Sequence, residues 1–491
     1  MSEASQRTRL PQDWQPAAIL VLYALSFFAT RLSVFPQLVI QTVCDELFAD
    51  GTDCSSDDVV KEADVWLTYL CTVEAFSSFV LTPAVTTLSD RRGRRAGLHL
   101  LTAAGACYQL LICFWIRDLT SLFVMVATLG GLCSMFQMLI MVYAMVADKQ
   151  DAGERAEAFG RLECGVWIGV MLGPLVGSAT SSASLGGLDD TRAPFLASGL
   201  LMLLALVCTF LVRETHGQME ITPLKWQRLT PLSLGYLLKS RRFFFLSLAL
   251  TLSTAAQVGN TTPINLYTKR VFNWGSSTVG DLASVAGVGA VLANGVLLRV
   301  LQQRRVSELN QIISACCLNF VGCCILIGSP NRAWMVFVGD FLAAFGGIVF
   351  PIYRAIMSRA TCAAEQGMLF GCLEMTEIIG YILAPLTFGP LFFFFESLNV
   401  PSLTFILPPV LNGAAVLIAS SLLRCDKAMP IISPVHDSAG NGDDQLEDVR
   451  VPLLVDVEKP LCDHNEVSQR MMMGAKQSMV SQSVASVQPL K

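Results

Sequence analysis

Long apolar runs separated by short polar breaks dominate the chain. Twelve of them, at residues 17–41, 65–89, 97–116, 121–147, 158–180, 194–213, 243–268, 275–300, 307–328, 332–358, 367–395 and 401–423, are long enough to cross a bilayer as helices. A hydrocarbon core of about 30 Å takes about 20 mostly apolar residues per helix. The pattern therefore predicts an all-α membrane protein with twelve transmembrane helices. Composition agrees: 53% of the 491 residues are apolar and 15% charged, which leaves too little polar surface for a soluble globule of this length. The first run is expected to remain as a helix and not to be cleaved as a signal, because Arg31 interrupts it and no small-residue cleavage site follows.

The breaks divide the chain. Residues 1–16 form a short N-terminal segment, 17–213 a first set of six helices, 214–242 a polar, basic connector and 243–424 a second set of six. Residues 425–491 turn polar and rich in Pro, Asp and Ser and are expected to be disordered. Within them "EDVRVPLL" has the flavour of an acidic dileucine signal for a sorting adaptor, although two leucines in a disordered tail account for it equally well. Arg91, Arg92, Arg94, Arg95, Lys225, Arg228, Arg241, Arg242, Arg304 and Arg305 all fall in breaks on the side of the N-terminus. Positive charge is retained inside, so both termini are expected to be cytoplasmic. The first external loop is strongly acidic, and the net charge of -5 gives no case for nucleic acid. Most of the sixteen cysteines lie in apolar runs, where a thiol behaves as a small hydrophobe. Cys44 and Cys54 lie in the external loop, and the sequence leaves open whether they bridge.

An internal repeat carries more information than composition. A fixed offset of 211 aligns "FGRLECGVWIGVMLGPL" (159–175) with "FGCLEMTEIIGYILAPL" (370–386), matching Glu163 to Glu374 and Pro174 to Pro385. The same offset takes Glu154 to Glu365 and Arg94 to Arg305. Two greasy helices aligned by chance would match leucines, not a glutamate, a proline and a distant arginine. The halves are copies. Two parallel six-helix repeats describe a carrier that binds solute near the midplane and rocks one half against the other.

Charges inside the apolar runs locate the chemistry. Arg31, Glu74, Glu163, Asp340, Glu374 and Glu377 would together cost on the order of 15–20 kcal/mol if ionised against lipid. They are expected to line a cleft or to be paired. Glu374 and Glu377, three apart on one helix face, form a carboxylate pair, and with Glu163 they are the candidates for proton coupling. The alternative is that Glu163 and Glu374 anchor a gate by pairing with loop arginines. Arg31 either receives an anionic group of the solute or serves as a structural partner for Glu74. Tyr23, Gln37, Gln137, Trp167, Gln257, Asn260 and Tyr381 have the polarity and depth of pocket residues. No metal-ligand spacing, cofactor motif, HExxH or GxSxG is present, so neither an enzyme nor a bound cofactor is expected. A receptor or scaffold on the same fold is the remaining rival.

The loop after helix two, "TTLSDRRGRRAG", resembles the major facilitator superfamily, whose loop carries G-x-x-x-D-[RK]-x-G-[RK]-[RK]. Asp90, Arg91, Gly93, Arg94 and Arg95 match, and Thr86 replaces the first glycine. The second copy keeps Arg305 but has Arg299 where the acid should be. The resemblance implies two pseudo-symmetric six-helix bundles and a charged gate, in which Glu154 or Asp148 would pair with Arg94 and, by the repeat, Glu365 with Arg305. Helix five holds Gly160, Gly169, Gly173, Pro174 and Gly177, matching the glycine pattern of drug:proton antiporters of the same superfamily. Its small face would let a neighbouring backbone approach closely. "YAMVAD" with "ERAEAFGRLE", "FLASGLLMLLALVCTFLVRET" and "PIYRAIMSRA" with "EQGMLFG" resemble the proton-coupled folate transporter and its relatives. That resemblance implies proton coupling at Glu163, substrate or proton interaction at Arg354, and symport of an organic anion. The family's external disulfide cannot form, because the loop after helix seven lacks cysteine. The sequence thus points to a proton-coupled carrier of a small organic solute, by symport or by drug-type antiport. Its membrane is either the plasma membrane or an internal acidic, endo-lysosomal or vacuolar one.

Overall fold

The computed structural model describes residues 14–426 apart from 33, 49–53, 55, 183–189, 216–225, 239, 275, 331 and 362–364. Most of the N-terminal segment and nearly all of the tail, with its dileucine stretch, lie outside the described residues.

Among the described residues, eleven helices are long and apolar enough to cross a membrane, and a shorter apolar helix makes the twelfth. In chain order they are α1 (Trp14–Leu47), α2 (Asp58–Arg92), α3 (Arg94–Phe114), α4 (Leu119–Lys149), α5 (Arg155–Ser181), α6 (Ala193–Thr209), α7 (Arg241–Phe272), α8 (Thr278–Gln303), α9 (Glu308–Ile327), α10 (Ala333–Arg359), α11 (Gln366–Ser397) and α12 (Pro401–Leu423). The twelve expected spans are all present. Several overrun their apolar runs: α2 begins seven residues before residue 65, because hydrogen-bonded helix continues past the hydrocarbon edge at little cost. α6 instead stops at Thr209, and 210–212 close as turns.

Packing follows the repeat. α1 lies against α5 and α6, and α3 against α6; in the second half α7 lies against α11 and α12, and α9 against α12. Two seams join the halves, α2 with α11 and α5 with α8. The offset of 211 exchanges these seams, so they are equivalents about one pseudo-two-fold axis.

The membrane-crossing units are interrupted at related depths. α4 breaks at residues 133–134 and α10 passes into a 3-10 turn over Ala344–Ile348. α1 is two helices, Trp14–Arg31 and Val34–Leu47. Such breaks free carbonyls, which need partners away from water. The Tyr23 hydroxyl donates to the Cys133 carbonyl, and Asn319 Nδ2 donates to the Ala343 carbonyl at 3.0 Å. Tyr23 and Asn319 are fully buried, as this role requires.

The glycine face of α5 meets α1. A Cβ at Gly173 would lie 2.7 Å from the Phe28 backbone carbon, and one at Gly169 would overlap Ala24. Gly177 is also buried, and α5 continues helical through Pro174. Gly160 faces elsewhere: its Cβ would strike Leu298 of α8 and come 3.0 Å from the Asn294 carbonyl, at the seam between halves. On the opposite side of the molecule from residues 14 and 426, Cys44 and Cys54 are joined by a disulfide.

Gly169→Leu should therefore separate α1 from α5. The expected loss is about 2–3 kcal/mol, read as a lowered unfolding midpoint of the detergent-purified protein, whereas Gly153→Ala, where nothing lies within 4 Å, should leave the midpoint unchanged.

Candidate transport site

The seams bring five polar side chains of both halves together. Arg354 on α10 is among the largest fully buried residues. Its Nη1 donates to Glu163 Oε1 on α5 at 2.6 Å and to the Tyr143 hydroxyl on α4 at 2.8 Å. Its Nη2 donates to Glu377 Oε1 at 2.6 Å and to Glu374 Oε2 at 3.3 Å, both on α11. The guanidinium lies over the Tyr143 ring, 4.5 Å from its centroid, and the Tyr143 hydroxyl donates to Glu163. The repeat is visible in this geometry, since the offset that pairs Glu163 with Glu374 also pairs Tyr143 with Arg354. The charges do not balance: three carboxylates share one guanidinium. Glu374 Oε1 is buried without a hydrogen-bond partner among the described residues.

On the side of the connector the cluster is sealed. Phe159 and Phe370, equivalents by the repeat, meet edge to face with centroids 5.6 Å apart, and Tyr143 stacks on Phe370 at 5.8 Å. Below them Arg155 Nη1 crosses to the Ser358 carbonyl at 2.9 Å and hydroxyl at 3.0 Å, while Nη2 reaches the Ala147 carbonyl at 3.0 Å. Gln366, the equivalent of Arg155, donates to the same Ser358 carbonyl at 2.9 Å. On the opposite side, Tyr381, one turn beyond Glu377 on α11, is 42% exposed.

The charged loop forms a second structure at the connector face. Gly93, at φ +96°, makes the turn between α2 and α3, a conformation that favours glycine. Arg94 is buried and pairs with Asp90 and, at 3.2 Å, with Asp148. The Glu214 carboxylate accepts the Arg94 and Arg95 amides at 2.9 and 3.1 Å, an acid placed at the positive end of α3. Arg95 Nη2 holds the Phe210 carbonyl at 2.9 Å, and Arg91 is half-buried beside them.

Several expected pairings are corrected. Asp148, not Glu154, is the partner of Arg94; Glu154 is an exposed residue of the turn before α5. Glu365 does not meet Arg305. Arg305 is exposed in a left-handed turn (φ 52°) that carries it away from α11, and Glu365 instead accepts from the Tyr236 hydroxyl at 3.2 Å and lies 4.0 Å from Arg228. Burial, and then the Glu365 carboxylate, push the Tyr236 phenol above its ordinary value, so it stays a donor. Arg299, standing where the second motif lacks its acid, lies 3.5 Å from Glu157 across the α5–α8 seam. Arg31, Glu74, Gln257, Asp340 and Arg354, the candidate solute contacts, do not form one site. Arg31 pairs with Glu74 at 2.8 Å and donates to Cys71 Sγ at 3.4 Å. Asp340, 6% exposed, precedes Arg354 on α10 by about 20 Å at 1.5 Å per residue and has no ion pair among the described residues. Gln257 is half-buried on α7 with no side-chain hydrogen bond among the described residues. Tyr143, Arg155 and Glu214 escaped sequence reasoning. Only Tyr143 carried a signal, as the repeat counterpart of Arg354.

A two-bundle membrane protein with broken helices and paired charges between the bundles has the architecture of a secondary transporter. Residues 19–331 match the family model described as Major Facilitator Superfamily, and the chain belongs to that superfamily, whose members are transporters and not enzymes. It is similar to the class D tetracycline resistance protein of Salmonella ordonez, 29% identical over 346 residues that cover 68% of this chain and 82% of the relative. It is also similar to human hippocampus abundant transcript-like protein 1, 24% identical over 432 residues that cover 83% of this chain and 79% of the relative. Among solved structures, the human organic anion transporter MFSD10 (TETRAN) superposes with a TM-score of 0.67 at 16% identity, over 83% of this chain and 100% of that one. None of these narrows the chain to the proton-coupled folate transporter and its relatives.

Removing one partner from a buried ion cluster strands the others, at about 3–5 kcal/mol. Arg354→Gln should lower the unfolding midpoint sharply, and Glu377→Gln in the same chain should restore part of the loss; a purely additive double mutant would show that the two side chains do not interact.

Proposed function

We propose that this protein is a proton-coupled carrier of a small organic solute, in which the Arg354 cluster exchanges protons as the bundles rock. The observation that carries the reading is the excess of acid over base in a buried cluster drawn from both halves. Three ionised carboxylates around one guanidinium leave two uncompensated charges in low dielectric, which bound protons neutralise. Protons taken up from one side and released to the other then couple transport to a pH gradient. Glu163, Glu374 and Glu377 are the exchanging groups, and Arg354 and Tyr143 hold them in register.

The rocking units are residues 17–213 and 243–424, joined by 214–242. With both termini in the cytoplasm, the sealed connector face is the inner gate. Asp90, Arg94 and Asp148 hold it within the first half, and Arg155–Ser358 and Phe159–Phe370 close it between the halves. These contacts break when the inner side opens, which supplies a bistable element. The membrane is the plasma membrane or an acidic internal one, and the tail beyond 425 is a candidate sorting segment.

Antiport is favoured over symport by two observations. The glycine face of α5 matches the drug:proton antiporter pattern, and a tetracycline resistance protein is among the relatives at 29% identity. Helix four, however, offers Thr128 where many drug antiporters carry arginine.

The test uses proteoliposomes loaded with the pH dye pyranine and challenged with tetracycline. Solute-driven proton movement is expected. Glu163→Gln should reduce pH-driven transport about tenfold or more while the protein stays folded and in the membrane, and unchanged pH dependence in that variant would remove Glu163 from the coupling role.

A further inference from the structure

The repeat that pairs Glu163 with Glu374 and Tyr143 with Arg354 departs from likeness at several positions of α11, and two of those departures place polar groups beside the cluster. Where the first half has Val166 and Val170, the second has Glu377 and Tyr381, four residues apart and on one face with Glu374. With valine at 377, as at its counterpart Val166, two acids would face the Arg354 guanidinium. Glu377 adds the third.

Resting on the carrier reading above, we propose that this repeat-breaking pair is where the solute docks, and that the solute is an organic cation or amine with an apolar or aromatic body. Its positive charge would sit against Glu377 and Glu374, and its body against the Tyr381 ring. Three observations carry this. Glu377 and Glu374 are 5% and 2% exposed, yet Arg354 is the one cation that pairs with them among the described residues. Glu374 Oε1, fully desolvated, has no hydrogen-bond partner among the described residues, so an acceptor is left ready. Tyr381 is 42% exposed, on the side of the cluster away from the connector, and packs edge to face on Phe136, with centroids 4.9 Å apart, giving an aromatic platform one turn beyond the acids. A cation held there gains from carboxylate and ring together.

An anion has no comparable reception. The Arg354 guanidinium is already engaged by three carboxylates and a hydroxyl, and an added negative charge would meet the excess acid. The charged and titratable groups facing this point are Tyr143 from α4, Glu163 from α5, Arg354 from α10, and Glu374, Glu377 and Tyr381 from α11. The stretches of α2 and α7 packed against it present Thr86, Thr251 and Thr254. Solute and proton therefore compete for the same carboxylates: as a monocation docks, a proton leaves Glu377 for solvent and net charge is conserved.

Binding of radiolabelled tetraphenylphosphonium to the purified full chain tests this, with fluorescein as the anionic probe. Tetraphenylphosphonium should bind about tenfold tighter at about pH 8 than at about pH 6. Glu377→Gln should weaken it about tenfold and flatten that pH dependence, and Tyr381→Leu should weaken it while the pH dependence remains. Fluorescein binding as tightly as tetraphenylphosphonium overturns the assignment, as does cation binding indifferent to both pH and Glu377→Gln. Should Glu377→Gln fail to give a monodisperse protein, the wild-type pH dependence and Tyr381→Leu decide. The carrier reading fails separately: cation binding as expected with no proton signal in pyranine-loaded liposomes overturns that reading and leaves this site standing.

Discussion

A single buried guanidinium organises the centre of this protein. Arg354 reaches four helices, α4, α5 and α11 by hydrogen bonds and its own α10 by the chain, and so ties the two halves at one point. Charges buried in low dielectric are tolerated only when paired and hydrogen-bonded. The bundles are therefore held in one relative orientation for as long as the acids remain on Arg354. Anything that changes their charge changes what holds the seam.

The second constraint is close approach. α5 touches α1 through Gly169 and Gly173, and touches α8 through Gly160, so one helix faces its own bundle on one side and the opposite bundle on another. A helix that bridges intrabundle packing and the seam can move only as part of a rigid half. The paired phenylalanines and the Arg155–Ser358 contact close the connector side between the halves, while Arg155–Ala147 and Gln366–Ser358 are equivalents within each half.

The departures from symmetry fall at the seams between the halves. The second loop motif lost its acid, and Arg299 pairs instead across the seam with Glu157. On α11, Glu377 and Tyr381 replace two valines and give the cluster its excess acid and its aromatic rim. A symmetric dimer of six-helix halves would close equally well. It would have no reason to prefer one ligand charge.

Twelve apolar runs, the duplicated halves and the embedded charges were all legible in the sequence, because hydrophobic length and helical spacing are local properties that a bilayer reads directly. Glu163, Glu374 and Glu377 could be singled out for the same reason, since a charge in an apolar run is conspicuous, and Arg354 through the family resemblance. Which charges meet was not legible. The sequence placed Arg31 and Asp340 together among the charges embedded in apolar runs, and folding sends them to separate places. Glu365 was matched to Arg305 by the repeat, but a left-handed turn and the Tyr236 segment decide otherwise. Tyr143 is an unremarked aromatic in a buried helix until α4 is laid against α5 and α10. Partner choice depends on the rotation and depth of helices distant in sequence, set by packing around the glycines of α5, and no local pattern encodes it.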